Sequence, residues 1–297
     1  MAEALIAGAG RARQRLALYA RLARFDRPIG VLLLLWPTLT ALWIAARGFP
    51  GWLLLFVFVA GTLLTRSAGC AVNDIADRRF DLHVERTAQR VLTSGAVSVR
   101  EAWWVAAILG ALAAALLPLM DAACFPLALV AVGVTLSYPL FKRFFPMPQA
   151  YLGIAFSFGI PMAFAAVDGG VSLEGWALFA ANLLWVVAYD TEYAMVDRND
   201  DLRIGIRSSA ILFGSADVAI VMGCYAAYLA AMAWIGADLR MGLPYLGGLA
   251  LAAGCAVYHY VLIRRRDRAG CLRAFLHNHW FGAAVFAGVA ADLALRR

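Results

Sequence analysis

Long apolar stretches, separated by short polar segments, dominate the amino-acid sequence. A membrane-spanning helix needs about 20 mostly apolar residues. Such stretches lie at roughly 28–46, 52–72, 102–118, 122–140, 148–167, 174–191, 212–235, 243–263 and 277–295. This pattern predicts an all-α fold, a polytopic membrane bundle of about nine transmembrane helices in one integral membrane domain over residues 1–297. Gly159 to Pro161 lie inside a span, where we expect close packing or a kink.

The N-terminal segment 1–24 follows another pattern. It ends in "RARQRLALYARLAR", which is rich in arginine and contains no long apolar core. A cleavable signal peptide would need such a core. The segment is therefore predicted to be a basic amphipathic helix lying on the anionic cytoplasmic leaflet.

Charge adds a direction to the bundle. Charged residues make up 15% of the chain, whereas soluble domains carry roughly 25%. Most of the 26 lysines and arginines fall in loops on one side of the predicted bundle, and the other side receives only Arg47, Arg240, Arg296 and Arg297. The positive-inside rule then places the N-terminus in the cytoplasm. Basic charge divided among short loops beside lipid argues against nucleic-acid binding, which needs a basic face on a soluble domain.

The stretch "NDIADRRFD" follows the second predicted span directly. Its Asn73, Asp77 and Asp81 are spaced i, i+4, i+8, which on a helix gives one polar stripe. Arg66 comes seven residues before Asn73. It therefore belongs to nearly the same helix face, deeper in the membrane.

A second acidic stretch, "DTEYAMVDRNDD", follows the sixth predicted span. Tyr193, Asp197 and Asp201 repeat the i, i+4, i+8 spacing, and Asp190 lies on that same face. Both stretches come at the cytoplasmic end of an even-numbered span, so the two stripes are expected to face each other.

Two facing stripes of carboxylates repel each other unless a cation lies between them. The cysteines and histidines form no metal-binding pattern, and a set of oxygen ligands selects hard cations. Mg²⁺ takes one or two carboxylates and fills its other positions with water and phosphate oxygens. Nearby arginine and lysine side chains are explained if an anion binds as well. The sequence thus predicts a Mg²⁺–diphosphate site at the cytoplasmic membrane edge, with solvated loop charge as the simpler alternative.

The two stretches resemble the motifs NxxxDxxxD and YxxxDxxxD of the UbiA superfamily of intramembrane prenyltransferases. Longer stretches are similar to its bacterial 4-hydroxybenzoate branch in ubiquinone biosynthesis, namely "RFDRPIGVLLLLWPTLTALWIA", "SYPLFKRFFPMPQAYLG" and "DTEYAMVDRNDDLRIGIRSSAILFG". The resemblance covers nearly the whole chain. It implies nine spanning helices around a lipid-accessible cavity in the bacterial inner membrane, with both motifs at the cytoplasmic mouth under short cap helices.

The resemblance also implies an activity. The enzyme would transfer a polyprenyl group from polyprenyl diphosphate to the ring carbon ortho to the hydroxyl of 4-hydroxybenzoate, using Mg²⁺. Residues Asp77, Asp81, Asp197 and Asp201 are the expected catalytic metal ligands. Asn73 is expected to join them and to contact the diphosphate. Membrane lipid would surround the long prenyl tail.

Two basic residues follow the fourth predicted span. Lys142 and Arg143 stand in "YPLFKRFFPMPQ", and the resemblance assigns them to the diphosphate. An anchor that obeys the positive-inside rule is the alternative for this pair.

The carboxylate of 4-hydroxybenzoate should meet a cation. Arg66 is the first candidate, because an arginine inside a span costs about 2.5–3.5 kcal/mol and normally faces a partner or a cavity. An ion pair with a motif acid is the alternative for Arg66, and Arg27 is the second candidate. Tyr193 joins the acceptor-binding residues because it stands within the second motif.

Two other functions fit part of the pattern. A related prenyltransferase would use another acceptor, such as a naphthoate, homogentisate or haem. A cation-coupled transporter would place its acids near mid-membrane, often at broken helices. The acids here lie instead at the predicted membrane edge, which favours the enzyme.

Overall fold

The computed structural model describes residues 2–79, 81–83, 87–141 and 144–296, and the regular elements in these ranges are helices. The α-helices are α1 (Ala2–Leu22), α2 (Ile29–Ala45), α3 (Trp52–Asp77), α4 (Val99–Ala114), α5 (Cys124–Phe141), α6 (Pro148–Ser157), α7 (Gly159–Asp168), α8 (Leu173–Ile204), α9 (Ser209–Leu212), α10 (Asp217–Asp238), α11 (Leu243–Ile263) and α12 (Arg268–Leu295). Short 3₁₀ turns lie at Asp81–His83, Leu117–Leu119 and Gly214–Ala216. The all-α prediction is therefore confirmed.

Six helical segments of the described chain are long and apolar enough to cross a membrane. They are Trp52–Asp77, Val99–Leu119, Cys124–Phe141, Pro148–Asp168, Gly214–Asp238 and Leu243–Ile263. Helix α2 is apolar but has only 17 residues, and polar side chains lower the hydropathy of α8 and α12. The protein is a multi-pass membrane bundle, as predicted, whereas the count of nine spans is not confirmed.

The predicted kink in the fifth span is confirmed as a break between α6 and α7 at Phe158. Gly159 begins α7 where the helix lies against α2. A Cβ atom at this position would overlap the hydroxyl oxygen of Thr38. Glycine therefore allows the broken helix to pack closely on α2, whose Thr38 is itself buried.

A second close contact joins α11 and α12. A Cβ atom on Gly248 would lie 2.7 Å from the carbonyl oxygen of Ala284 and 2.7 Å from Cα of Gly288. Small residues let the two backbones meet, which is a common way to pack helices in a membrane. This contact fixes α12 closely beside α11.

The basic N-terminal segment forms α1, as predicted, and its last turns dock on the protein. Leu22 is fully buried in a small apolar cluster with Val91, Leu92 and neighbouring side chains. The hydroxyl of Tyr19 donates a 2.7 Å hydrogen bond to Glu101 on α4, and Arg15 pairs with the same carboxylate. Helix α1 is thereby held next to the loop between α3 and α4.

Candidate active site

A cavity of about 1330 Å³ opens where the two acidic stretches lie. Residues of both predicted motifs line it, namely Asn73, Asp77, Asp81, Tyr193, Asp197 and Asp201. The four motif aspartates are largely buried, each with less than a tenth of its surface exposed. The fold thus brings the two stretches together, although Asp77 and Asp197 are 120 residues apart in the sequence.

The first motif departs from the predicted stripe at its end. Asn73 and Asp77 lie on α3, but α3 ends at Asp77, and Asp81 begins a separate 3₁₀ turn. The prediction of one continuous helical stripe is therefore wrong for Asp81. The chain after Asp77 is "RRFD", and both arginines are exposed, so these two residues add no buried face that would extend the helix.

The second motif keeps the predicted geometry. Helix α8 continues without a break from Leu173 to Ile204, which includes Tyr193, Asp197 and Asp201. It ends at Gly205, whose φ of 72° is in the left-handed region that favours glycine. The Tyr193 ring stacks on Phe275 of α12, with centroids 4.3 Å apart.

Two arginines that the sequence did not single out contact the first acidic stretch, Asn73 to Asp81. Arg90 Nη1 donates to Asp81 at 2.8 Å and to Asp74 at 3.0 Å. Arg24 Nη2 donates to both carboxylate oxygens of Asp74 at 2.8 Å. Arg24 has a φ of 61°, a value that is uncommon for residues other than glycine. The contact therefore holds the chain after α1 in a restrained conformation at the cavity mouth.

Asp81 lies among charges of both signs. Burial raises the pKa of the Asp81 carboxyl above its usual range, Arg90 lowers it, and the neighbouring Asp77 and Asp74 raise it. Asp74, Asp77 and Asp81 thus lie close enough to disfavour one another's negative charge, although arginines pair with Asp74 and Asp81. A divalent cation would reduce this repulsion.

The carboxylates of the described residues do not gather into a cage. Within the described ranges, no three histidine, cysteine, aspartate or glutamate side chains form a ready metal-binding group. This arrangement fits Mg²⁺, which binds through one or two carboxylates plus substrate phosphates rather than through a cage made only of protein ligands. The oxygen donors on the two motifs also match the hard-cation preference.

Arg66 lies deeper on α3 and lines the cavity. Its guanidinium stacks over the ring of Phe156, 5.4 Å from the ring centroid, and Nη1 donates to Cys70 Sγ at 2.7 Å. Its Nε is buried without a hydrogen-bond partner among the described residues. The guanidinium lines the cavity, so its positive charge can pair with an anionic group of a bound ligand.

The other basic residues predicted to bind substrate are Arg27, Lys142 and Arg143. Arg27 lines the cavity mouth, and 70% of its side chain is exposed, so it lies nearer to solvent than Arg66. Lys142 and Arg143 lie outside the described residues. The glutamine of the predicted "PMPQ" stretch is in place, because Gln149 lines the cavity and accepts a 2.9 Å hydrogen bond from the backbone of Ser209.

The cavity continues away from the acids into an apolar arm. One face of α4 lines it with Ala106, Gly110, Ala113 and Ala114, and one face of α5 lines it with Ala128, Ala131, Val132, Thr135 and Leu136. On α4 the lining runs about 12 Å, at roughly 1.5 Å per residue. Leu117 and Met120 lie at the far end. A polar mouth and an apolar arm together suit a ligand with a charged head and a long hydrocarbon tail.

The chain is similar to known prenyltransferases over most of its length. Residues 34–282 match the UbiA prenyltransferase family. A 4-hydroxybenzoate octaprenyltransferase from Cupriavidus necator is 60% identical over 283 residues, which is 95% of this chain and 99% of that protein. The enzyme of the same name from Methylobacillus flagellatus is 59% identical over 284 residues, which is 94% of this chain and 95% of that protein.

Solved structures share the fold. A UbiA homologue from Aeropyrum pernix, solved in its apo form, superimposes with a TM-score of 0.76 at 27% identity, covering 88% of this chain and 97% of that one. A UbiA homologue from Archaeoglobus fulgidus, solved with GPP and Mg²⁺, has a TM-score of 0.69 at 17% identity and covers 92% of this chain and 99% of that one.

Proposed function

This chain belongs to the UbiA prenyltransferase family, and on that basis we propose that it prenylates 4-hydroxybenzoate as a step of ubiquinone biosynthesis. It transfers a polyprenyl group from polyprenyl diphosphate to the ring carbon ortho to the phenol hydroxyl. The observation that carries this proposal is that both acidic motifs line one cavity, which continues into an apolar arm. The two relatives compared above carry the name octaprenyltransferase, which favours an eight-isoprene donor.

Mg²⁺ is the proposed cofactor. When bound, it would neutralise the diphosphate and make it a better leaving group. The residues proposed to hold it are Asp77 and Asp81 of the first motif, Asp197 and Asp201 of the second, and Asn73. Oxygen ligands on two separate elements leave room for phosphate oxygens between them.

The protein's own cations contribute a second part of the diphosphate site. Arg90 donates hydrogen bonds to Asp74 and Asp81 at the cavity mouth. Its guanidinium can also face a phosphate group there. Arginine suits bidentate phosphate contacts. Lys142 and Arg143 remain proposed diphosphate ligands from the sequence. Asp74 then serves to hold Arg24 and Arg90 in position rather than to bind metal.

The cavity also protects the reaction from water. Loss of diphosphate leaves an allylic cation, which forms a carbon–carbon bond to the ring before the ring loses a proton. Tyr193, Phe156 and Phe275 line this part of the cavity, and aromatic faces attract positive charge. Enclosure by helices excludes the water that would otherwise capture the cation.

Arg66 is the proposed partner of the acceptor carboxylate. Arg66→Ala should raise the KM for 4-hydroxybenzoate by roughly tenfold to a hundredfold, because a lost charge-assisted contact costs about 1.5–3 kcal/mol. The KM for the donor should change little. Steady-state kinetics with each substrate varied in turn provides the measurement.

The methyl ester of 4-hydroxybenzoate and the Arg27→Ala variant are the controls for Arg66. The ester offers no anion, so Arg66→Ala should impair its use much less. Arg27 is mostly exposed, so its removal should affect the acceptor KM less than removal of Arg66. Equal losses for acid and ester would place Arg66 with the metal site instead.

The apolar arm is the proposed site of the prenyl tail. Ala113→Phe should lower kcat/KM for octaprenyl diphosphate by about tenfold, because overpacking costs about 1–3 kcal/mol. Use of geranyl diphosphate should be nearly unchanged, since its short tail ends before this position. Ala111→Phe is the matched control, because Ala111 is exposed on α4 and is not part of the cavity lining. Equal losses for both donors would place the tail elsewhere.

We further infer that the mouth faces the cytoplasm of a bacterial cell and that the bundle lies in the inner membrane. Arg24, Arg90 and Arg207 all lie at this end of the cavity. Arginine-rich ends stay on the cytoplasmic side of a membrane. Helix α1, which docks at the same end, would then contact the anionic leaflet.

Acceptor identity can be tested directly. Purified protein would receive octaprenyl diphosphate and equal concentrations of 4-hydroxybenzoate, a dihydroxynaphthoate and homogentisate. The expected result is prenylation of 4-hydroxybenzoate alone. Preference for either of the other acceptors would assign the chain to a different branch of the family.

A further inference from the structure

A buried polar network lies behind the second motif, on the side of α8 that faces away from the cavity. Its members come from four helices: Trp185, Glu192, Tyr225, His259, His277 and Asn278. Glu192, His259 and Asn278 have no exposed surface. An ionisable group buried among membrane helices is costly and needs a partner or a function.

The orientation of the Asn278 amide is fixed by its neighbours. The indole N–H of Trp185 can only donate, and it lies 2.9 Å from Asn278 Oδ1. The carbonyl of Ala274 can only accept, and it lies 3.0 Å from Asn278 Nδ2. Nδ2 also donates to Glu192 Oε2 at 2.7 Å. The amide therefore presents its oxygen to the Tyr225 hydroxyl.

The position of the next proton follows from this orientation. Tyr225 Oη lies 2.7 Å from Asn278 Oδ1, so the single phenol proton is needed there. Tyr225 Oη also lies 3.0 Å from Glu192 Oε1, and that contact then requires a proton on Glu192. His259 Nδ1 lies 3.0 Å from the same hydroxyl, and it donates a second hydrogen bond to the hydroxyl oxygen. Every contact is satisfied when Glu192 is a neutral acid.

The network fixes the rotation of α8. Glu192 directly precedes Tyr193, whose ring stacks on Phe275 of α12. Phe275 lies about one helical turn before Asn278 on α12. Asp197 lies just over one turn further along α8. Any rotation of α8 that broke the Glu192 contacts would also turn Asp197 away from the first motif.

We propose that Glu192, as a neutral hydrogen-bonded acid, is a positioning residue for the second acidic motif. This proposal rests on the function proposed above and adds a residue outside the cavity. Substitutions in the network should change the affinity for Mg²⁺ and diphosphate before they change the chemical step. Loss of a residue that orients a metal ligand typically lowers metal affinity or activity by about 10–100-fold.

Glu192→Leu and Glu192→Gln form the decisive pair. Glutamine can donate to Tyr225 and accept from Asn278, as the neutral acid does, so Glu192→Gln should stay within about threefold of the unaltered protein. Glu192→Leu should raise the Mg²⁺ concentration for half-maximal activity and the donor KM by roughly tenfold or more, with a smaller change in kcat. A purely structural role would lower the melting temperature without moving these constants in the folded protein.

Tyr225→Phe extends the test if Glu192→Leu does not fold. Tyr225→Phe should also raise the Mg²⁺ concentration for half-maximal activity and the donor KM. Tyr228→Phe is the control, because Tyr228 is an equally buried tyrosine on α10, and it should leave the Mg²⁺ affinity unchanged. Unchanged constants in folded Glu192→Leu or Tyr225→Phe, or a Glu192→Gln variant as impaired as Glu192→Leu, would overturn the proposal. Mg²⁺-dependent binding of geranyl diphosphate, measured by thermal shift, decides the matter even if 4-hydroxybenzoate is not the acceptor.

Discussion

Asp77→Asn and Asp197→Asn should each lower turnover by about a thousandfold or more while the protein stays folded in the membrane. Each change removes a negative charge from one side of the proposed Mg²⁺–diphosphate site. Stabilisation of the leaving group by a metal contributes several kcal/mol, and about 1.4 kcal/mol corresponds to a factor of ten in rate. Turnover in detergent, with folding checked by thermal denaturation, is the measurement.

A matched carboxylate provides the control for these two variants. Asp168 is an exposed acid at the end of α7, outside the cavity lining, so Asp168→Asn should retain full activity. Because both motifs line the same cavity and each is proposed to hold Mg²⁺, both substitutions should cause losses of similar size. Full activity in either variant would remove that motif from the catalytic site.

Removal of divalent metal should abolish turnover completely. EDTA would leave the carboxylates around Asp81 and Asp197 facing the diphosphate without a cation between them, so donor binding should also fail. Added Mg²⁺ should restore the initial rate, whereas Na⁺ at the same ionic strength should not.

Donor binding distinguishes a metal effect from unfolding. The melting temperature in EDTA without donor should change little, and geranyl diphosphate should stabilise the protein only when Mg²⁺ is present. Turnover that persists in EDTA would contradict a metal-dependent mechanism. Stabilisation by the donor without Mg²⁺ would assign diphosphate binding to arginine and lysine side chains alone.

Local spacing predicted which residues of the two acidic stretches line the cavity. The i, i+4, i+8 patterns identified both acidic motifs, and the apolar stretches predicted the membrane bundle. Tyr193, Asp197 and Asp201 follow the predicted stripe because α8 continues unbroken to Ile204. Arg66 was recognisable because a charged residue within a span needs a reason to be there.

Long-range pairing could not be predicted in the same way. Arg24 and Asp74 are 50 residues apart, and Glu192 and Asn278 are 86 residues apart. Neither pair has a periodic signal, because each contact depends on how separate helices pack. The end of α3 at Asp77 was also missed, since "RRFD" contains neither glycine nor proline to mark a helix end.

One assay tests the central claim most directly. Purified protein in detergent would be supplied with octaprenyl diphosphate, 4-hydroxybenzoate and Mg²⁺, and the product would be identified by mass spectrometry and NMR. The predicted product carries the octaprenyl chain on the ring carbon ortho to the hydroxyl, with one diphosphate released per product. Folded, metal-loaded protein that forms no prenylated ring, or that attaches the chain to an oxygen atom, would contradict the account.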